Sequence, residues 1–426
     1  MDRRQFFAGL ALTSLIAPEG ARAAKIGVNP AFPPLNAERI QTLPEAERAS
    51  WRAYLDRSAA QMQADKAALR AERQDLAEIP ADAQGGPGDN GMALDKPADW
   101  YRSAEARTVT ANILSFQTPA GGWGKNHPRN APPRLKGQAY ILGNEPARPA
   151  GHYDTHAPYW HYVGTTDNGA TITEIRFLAR VASVTGDETV KSAALKGLDY
   201  FLKAQFPNGG WPQVWPLEGG YHDAITLNDY AMGSVVTLIG EAARGQGDFS
   251  FVPREVRTRL SEAEARAIDC FLKSQVRVDG RLTLWAPQYD ALTLTPCSAR
   301  AFEPPALSCT DSAALLIYLM QQPSPSKALK AAVKAGIETL EATMIRDVDF
   351  VLVPDIKARR LVSSPGRGMW GRYLDLRTLK PIFGTRERDI YDALEDIETP
   401  GNGPGGYRWY SSSPGKAISA YARWRA

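Results

Sequence analysis

Cysteine is scarce. The chain of 426 residues has three, Cys270, Cys297 and Cys309, too few for a fold held together by disulfides. One bridge, Cys297 to Cys309, is open to an exported chain, whereas Cys270 lies in an apolar helical pattern and is expected to be a small core residue. Excess charge is absent too. Lys plus Arg number 50 against Asp plus Glu 47, so bulk charge steers the chain toward neither nucleic acid nor membrane. Selectivity for an acidic partner has to come from local clustering. The apolar stretch from Phe6 to Ala17 is too short to span a bilayer.

What is present begins with that stretch. "MDRRQFFAGLALTSLIAPEGARA" has a basic start, an apolar middle and an Ala-x-Ala-like end, which reads as a secretory signal over residues 1–23. Arg3 and Arg4 before Phe6 and Phe7 suggest the twin-arginine type, so the expected location is secreted or periplasmic. Residues 24–97 are expected to be a helical extension and linker. Trp51, Tyr54, Leu55, Met62 and Leu69 recur near a 3.6 period, and "PADAQGGPGDNGMALDKP" follows as a long loop. Residues 98–426 show no comparable break and read as one domain.

Inside that domain one turn is written twice, "QTPAGGWGKNHP" at 117–128 and "QFPNGGWPQVWP" at 205–216, with a looser copy near Gly280 and Trp285. Each follows a helix-like run ending in Gln; Pro and Gly-Gly stop the helix and Trp can fold back over its end. A second series alternates with the first. "TTDNGATITEIRFLARVAS", "TLNDYAMGSVVTLIGEAA" and "SCTDSAALLIYLMQQ" each place an Asp (Asp167, Asp229, Asp311) at the start of a poorly charged apolar run, where carboxylates cap helices. Alternating outer and inner helices predict an all-α fold, an (α/α)3 toroid of hairpin repeats. The three Asp would then share one mouth with the Trp loops.

That mouth is rich in chemistry. Asp167, Asn168, Asn228 and Asp229 offer the oxygen donors that calcium prefers, although no contiguous EF-hand loop is present. Trp123, Trp211, Trp215 and Tyr221 are candidates for stacking on sugar rings. Lys125, Arg300, Arg372, Arg386 and Arg388 add positive charge, with Arg300 beside Phe302 and Arg372 between Trp370 and Tyr373, surroundings that orient guanidinium groups. His152, His156 and His161 in "HYDTHAPYWHY" have a spacing that could suit zinc.

"GGWGKN", "TTDNGATITEIRFLARV", "NGGWPQVWP", "ITLNDYAM", "LTLWAPQYDALTLTP", "SARAFEPPALS", "GRYLDLRTLKPIFGTR" and "GGYRWY" occur in the order seen in pectate lyases of polysaccharide lyase family ten. The chain resembles that family over roughly residues 98–410. The resemblance implies a calcium-dependent β-elimination on polygalacturonate, with calcium-site aspartates at Asp167 and Asp229 and Asn168 beside them. It implies substrate-carboxylate arginines at Arg300 and Arg372 and a catalytic arginine at Arg386; Lys125, Trp123, Trp211 and Tyr221 are expected, from the residues themselves, to be further substrate-binding groups. The partner implied is an acidic polysaccharide, with no nucleic acid and no membrane, and a monomer is expected.

Two segments depart from the family pattern. Where relatives carry Arg-Asp-Gly, this chain reads "RERD", so Arg388 competes with Arg386, and Lys125 is a third candidate base. Where relatives carry a double Arg, it reads "PGNGPGGY", so one substrate-binding arginine is either missing or replaced by Arg408. The histidines have no role in the family. In the expected chemistry, cations on the galacturonate carboxylate make the carbon-5 proton removable and stabilise the enolate-like transition state. An arginine base, with an ordinary pKa of about 12.5, implies an alkaline optimum. The alternatives are an inverting glycoside hydrolase using Asp167 and Asp311, or a uronate-binding protein without activity.

Overall fold

The computed structural model describes residues 23–84, 92–140, 142, 160–394, 397 and 407–424. The expected signal segment, apart from Ala23, lies outside the described residues, as do His152 and His156. Ten helices occur among them: α1 Ala37–Ile40, α2 Glu45–Arg73, α3 Ala104–Ser115, α4 Ile172–Thr185, α5 Glu188–Ala204, α6 Ala231–Arg244, α7 Arg254–Ser274, α8 Cys309–Met320, α9 Lys327–Ala342 and α10 Gly415–Trp424. Short polar side chains start several of them. Ser103, Asp187, Ser308 and Ser326 each accept a backbone N–H of the first turn. Gly186 and Gly245, both left-handed, end α4 and α6.

Helices α4 and α5, α6 and α7, and α8 and α9 pack as hairpins. Neighbouring hairpins meet through α4, α6 and α8 in one row and through α5, α7 and α9 in the other. The first row is the more apolar: Val235, Val236, Leu238 and Ile239 of α6 and Leu316 and Leu319 of α8 have no exposed surface. Removing each such side chain from water contributes about 1.5–3 kcal/mol. The long helix α2 lies against this core, with Trp51 and Tyr54 packed on Phe206 and the Tyr54 hydroxyl donating to Ala204 O.

The twice-written turn is a helix-to-helix staple. Gln117 at the end of α3 donates to Gly121 O in its own loop and to Ala193 O in α5. Gln205 does the same to Gly209 O and Ala263 O of α7, and Gln275 to Thr283 O and Ala332 O of α9. The Trp closes the other side: the indoles of Trp123, Trp211 and Trp285 donate to Ile113 O, Phe201 O and Phe271 O, carbonyls in the last turns of the preceding helices. Gly121 and Gly209 are left-handed, and a Cβ on either would lie 2.5 and 2.2 Å from a carbonyl of the next helix. Only glycine allows that approach.

The all-α class read from the sequence is overturned. The chain is mixed, 46% helical and 14% strand, with several small sheets. Residues after α9 form strands although their apolar side chains do not alternate strictly. Ile345–Val353 pairs antiparallel with Ala358–Gly371, and Tyr410–Ser411 joins its end. Phe350, Met369, Tyr373, Phe383 and Trp409 form a second apolar core there. A two-residue ladder ties this part to the helices, Leu307–Ser308 on Tyr373–Leu374, and Ile225–Thr226 pairs with Gln288–Tyr289 within the helical part. Near the start of the chain, Lys25–Val28 pairs with Asp389–Tyr391. The disulfide expectation also fails: Cys270, Cys297 and Cys309 are all free and buried. Burial pushes the Cys270 and Cys309 thiols up to about 12.

Candidate active site

Each Trp turn feeds the start of a helix through the same backbone bond. Trp123 O accepts from Thr165 N, Trp211 O from Thr226 N, and Trp285 O from Ser308 N. Counting from these anchors puts the three acidic residues in a register the sequence did not show. Asn168, Asp229 and Asp311 are third after the anchor, whereas Asp167 is second, matching Asn228. Asn168 and Asp229 both adopt left-handed backbone (φ 51° and 53°), a conformation that Asn and Asp tolerate best after glycine. Asp167 is therefore offset by one residue from the other two.

The acidic residues meet different partners. Asp167 Oδ2 lies 3.0 Å from Lys125 Nζ, which also sits 4.5 Å over the Tyr162 ring. Asn168 donates to Asn126 Oδ1 at 2.8 Å. Asp229 Oδ1 and Asn228 Oδ1 each accept from Arg372 Nη2 at 3.1 Å. Asp311 is buried, accepts the Ser308 hydroxyl at 2.6 Å and receives Tyr230 N at 3.3 Å. Burial pushes its carboxyl up to about 6, with Arg372 opposing and Asp229 assisting the rise. It braces the turn that carries Asp229.

The two arginines share an aromatic shelf. Arg300 is 4.7 Å over Phe302 and 6.0 Å over Tyr407; Arg372 is 4.7 Å over Tyr407 and 5.6 Å over Tyr373. Arg300 grips Glu303 with Nε and Nη2 at 2.9 and 2.6 Å. Glu303 is buried and also accepts the hydroxyls of Tyr407 (2.9 Å) and Tyr373 (3.3 Å). Burial raises its pKa, but Arg300 and the Tyr407 hydroxyl outweigh it and hold the carboxyl below the usual range. Burial likewise opposes the charge on both arginines. Glu303 overrides it for Arg300, and Tyr373, Tyr407, Asp311 and Asp229 override it for Arg372, so both stay above the ordinary arginine range. Neither can give up a proton.

Arg386 and Arg388 sit on one tight turn, Thr385 to Arg388, closed by Arg388 N to Thr385 O at 3.1 Å. Gly384 sets the turn against the arginine loop: a Cβ there would be 2.3 Å from Phe302 O. Arg388 is committed to the backbone, donating to Asn29 O at 2.9 Å and Pro30 O at 2.5 Å. Asn29 in turn donates to Arg300 O and Ala301 O. Arg386 is exposed, and makes no hydrogen bond or ion pair to a described residue. Three of the expected site cations (Lys125, Arg300, Arg372) are thus matched by three carboxylates (Asp167, Glu303, Asp229), whereas Arg386 has no such partner among the described residues.

Several sequence expectations are corrected by burial. Trp123 and Trp211 are each 1% exposed and Tyr221 is 5% exposed, so none presents a face to a sugar. Both indoles are used in closing helix ends, as is their volume, and Tyr221 packs with Phe32, Ala224, Cys297 and Ala299. Trp215 is as buried as Trp211. Arg408 is exposed while its neighbours Tyr407 and Trp409 turn inward, so Tyr407, not Arg408, joins the arginines. Glu303, Tyr373 and Tyr407 were missed. The signal was available: Glu303 is three residues after Arg300 in "SARAFE", within reach of its fork.

Comparison with known proteins agrees with the motif order. The profile of the family described as pectic acid lyase matches residues 117–418. An aspartate-to-alanine variant of the family 10 polysaccharide lyase from Cellvibrio cellulosa, in complex with trigalacturonic acid, is similar at 28% identity and TM-score 0.64, covering 78% of this chain and 98% of its own. A second structure of that lyase is similar at 29% identity and TM-score 0.64, over 77% of this chain and 95% of its own. No curated protein matches the chain.

Proposed function

Given that this chain belongs to the pectic acid lyase family, we propose that it cleaves α-1,4-linked polygalacturonate by calcium-dependent β-elimination, with Arg386 as the proton-abstracting base. The observation that carries this reading is the aromatic shelf. Arg300 and Arg372 both lie within 6.0 Å of the Tyr407 ring centre, each with part of its guanidinium fork committed to protein oxygens. Two rigid, permanently charged forks suit planar carboxylates such as those of adjacent uronate units. The solved relative bound to trigalacturonic acid supports the same substrate class.

Calcium fits the donor set at the rim. Asp167, Asn168 and Asp229 supply carboxylate and amide oxygens, and the Asp229 side chain is 66% exposed. Three protein donors are fewer than the six to eight that calcium takes, so substrate oxygens and water would complete the shell. The paired cations give a further reason. With Lys125, Arg300 and Arg372 each matched by a carboxylate, the fixed part of the site offers a polyanion no net positive charge. When bound, calcium would supply that charge and lower the cost of forming an enolate-like carboxylate.

The residues of this chain do the remaining work. Arg300 and Arg372 orient the uronate carboxylate and hold charge where it grows in the transition state. Arg386, exposed and without an ion-pair partner among the described residues, takes the carbon-5 proton in its neutral form, which alkaline solution favours. The electron pair of that bond forms the double bond to carbon 4. The glycosidic oxygen leaves with its own bonding pair and is protonated by solvent, to which Arg386 returns its proton. No water is consumed. Lys125, held by Asp167 and the Tyr162 ring, serves as a binding cation. Incubation with polygalacturonate should yield an ultraviolet-absorbing unsaturated end that excess chelator suppresses and added calcium restores. Reducing ends without that absorbance would refute the elimination, and full activity in chelator would remove calcium from it.

A further inference from the structure

We propose that His161, Glu218 and His222 form a binding site for a zinc-class divalent cation, separate from the calcium rim. His161 Nδ1 lies 3.0 Å from Glu218 Oε1, and His222 Nδ1 lies 2.9 Å from the same oxygen. All three ligand atoms are within 4.8 Å of one another. A four-coordinate zinc has bonds of about 2.0–2.2 Å to nitrogen and oxygen, which puts its ligand atoms roughly 3.3 Å apart. The two measured edges are already near that spacing, and the third closes by a small swing of the rings.

Local sequence explains the convergence. Gly219 and Gly220 adopt φ 95° and 66°, and the short helix Gly220–Asp223 folds His222 back beside Glu218. Tyr162, itself left-handed at φ 56°, then fixes the outer side of two ligands. Its N–H donates to Glu218 Oε2 at 2.9 Å, and its hydroxyl lies 3.1 Å from His222 Nε2. Metal-binding residues are commonly oriented by such outer contacts. Glu218 and His222 are 4% and 0% exposed at the side chain and His161 is 15% exposed, so two ligands are preorganised and one faces the entry. Two nitrogen donors and one carboxylate suit zinc and are a poor set for calcium.

The site has a consequence for the mouth. Tyr162 is the ring beneath Lys125, so a cation here would pin the 160–166 segment to the 218–223 segment and steady the seat of Lys125. Its failure would leave the lyase reading untouched, because no residue of the triad belongs to the shelf or the rim.

The test uses the full chain, stripped with chelator and titrated with zinc in excess calcium, with cobalt(II) as an optical probe. One zinc per chain with micromolar or tighter affinity, and visible absorption of four-coordinate cobalt, are expected. His161→Ala, Glu218→Gln and His222→Ala should each weaken zinc binding by at least 30-fold, and Tyr162→Phe by about tenfold or less. His161→Ala alters the most exposed ligand, so it decides the matter if the buried variants do not fold. Absence of stoichiometric zinc in the unaltered chain, or His161→Ala binding zinc as well as the parent, would overturn the proposal and leave Glu218 as a hydrogen-bonded anchor for two imidazoles.

Discussion

Arg386 and Arg388 stand two residues apart on one turn, and alanine at each should give opposite outcomes. Arg388 makes two charge-assisted hydrogen bonds, to Asn29 O and Pro30 O. Such bonds contribute about 1.5–3 kcal/mol each when buried, and this side chain is half-buried, so their joint loss should cost about 2 kcal/mol. Arg386 is exposed with no described partner, and surface changes of that kind stay within about 0.5 kcal/mol. Arg388→Ala should therefore shift the urea midpoint and leave kcat within a few-fold, provided the strap of residues 25–30 stays paired. Arg386→Ala should leave the midpoint in place and lower kcat by about 10²- to 10⁴-fold, the usual size of a general-base contribution. Both are read by chemical denaturation and by the initial rate of unsaturated product. An Arg386→Ala enzyme keeping more than a tenth of kcat would refute the assignment. A dead Lys125→Ala enzyme beside it would move the base to Lys125.

Asp229→Ala removes a rim carboxylate that is largely exposed, so turnover should collapse while the melting temperature changes little; activity at the parent level would refute its role. Trp211→Phe deletes the indole bond to Phe201 O and should cost about 1–3 kcal/mol in stability with KM for polygalacturonate unchanged, whereas a raised KM would restore Trp211 as a sugar platform. Asp65 on α2 is fully buried, and burial pushes its carboxyl up to about 6. A folded pKa above the unfolded value of about 3.8 means the charged form opposes folding, so stability should fall as pH rises from about 4 through about 6. Asp65→Asn should flatten that slope in thermal melts; an unchanged slope would refute the assignment.

Composition and motif order reached the chemistry because the reacting residues lie in short contiguous segments. "TTDN", "LNDY", "SARAFEPP" and "GRYLDL" each carry a charged residue, only Arg300 beside its partner Glu303, and their order resembles that of a lyase family acting on acidic polysaccharide. The helical repeat was legible because Gln, Gly-Gly and Trp recur at one spacing and the Trp acts on the helix its turn ends; the Gln bonds to another helix were not legible. Fold class was not legible. The hairpin of Ile345–Val353 and Ala358–Gly371 is local but shows no clean period of two, and the other ladders join distant segments, Leu307–Ser308 with Tyr373–Leu374 and Lys25–Val28 with Asp389–Tyr391.

Distance in sequence marks the boundary elsewhere too. The sequence determined which residues could carry charge, which glycines a turn required, and that three helices end alike, since each depends on neighbours within a few positions. Tertiary packing decided which of those groups meets which. It buried Trp123 and Trp211 instead of offering them to sugar, shifted Asp167 one place out of register with Asp229, and turned Tyr407 rather than Arg408 toward the shelf. It also gave Arg388 to the backbone of Asn29, 359 residues away, leaving Arg386 free. A side chain's exposure and partner depend on what the rest of the chain places against it, and no local pattern encodes that.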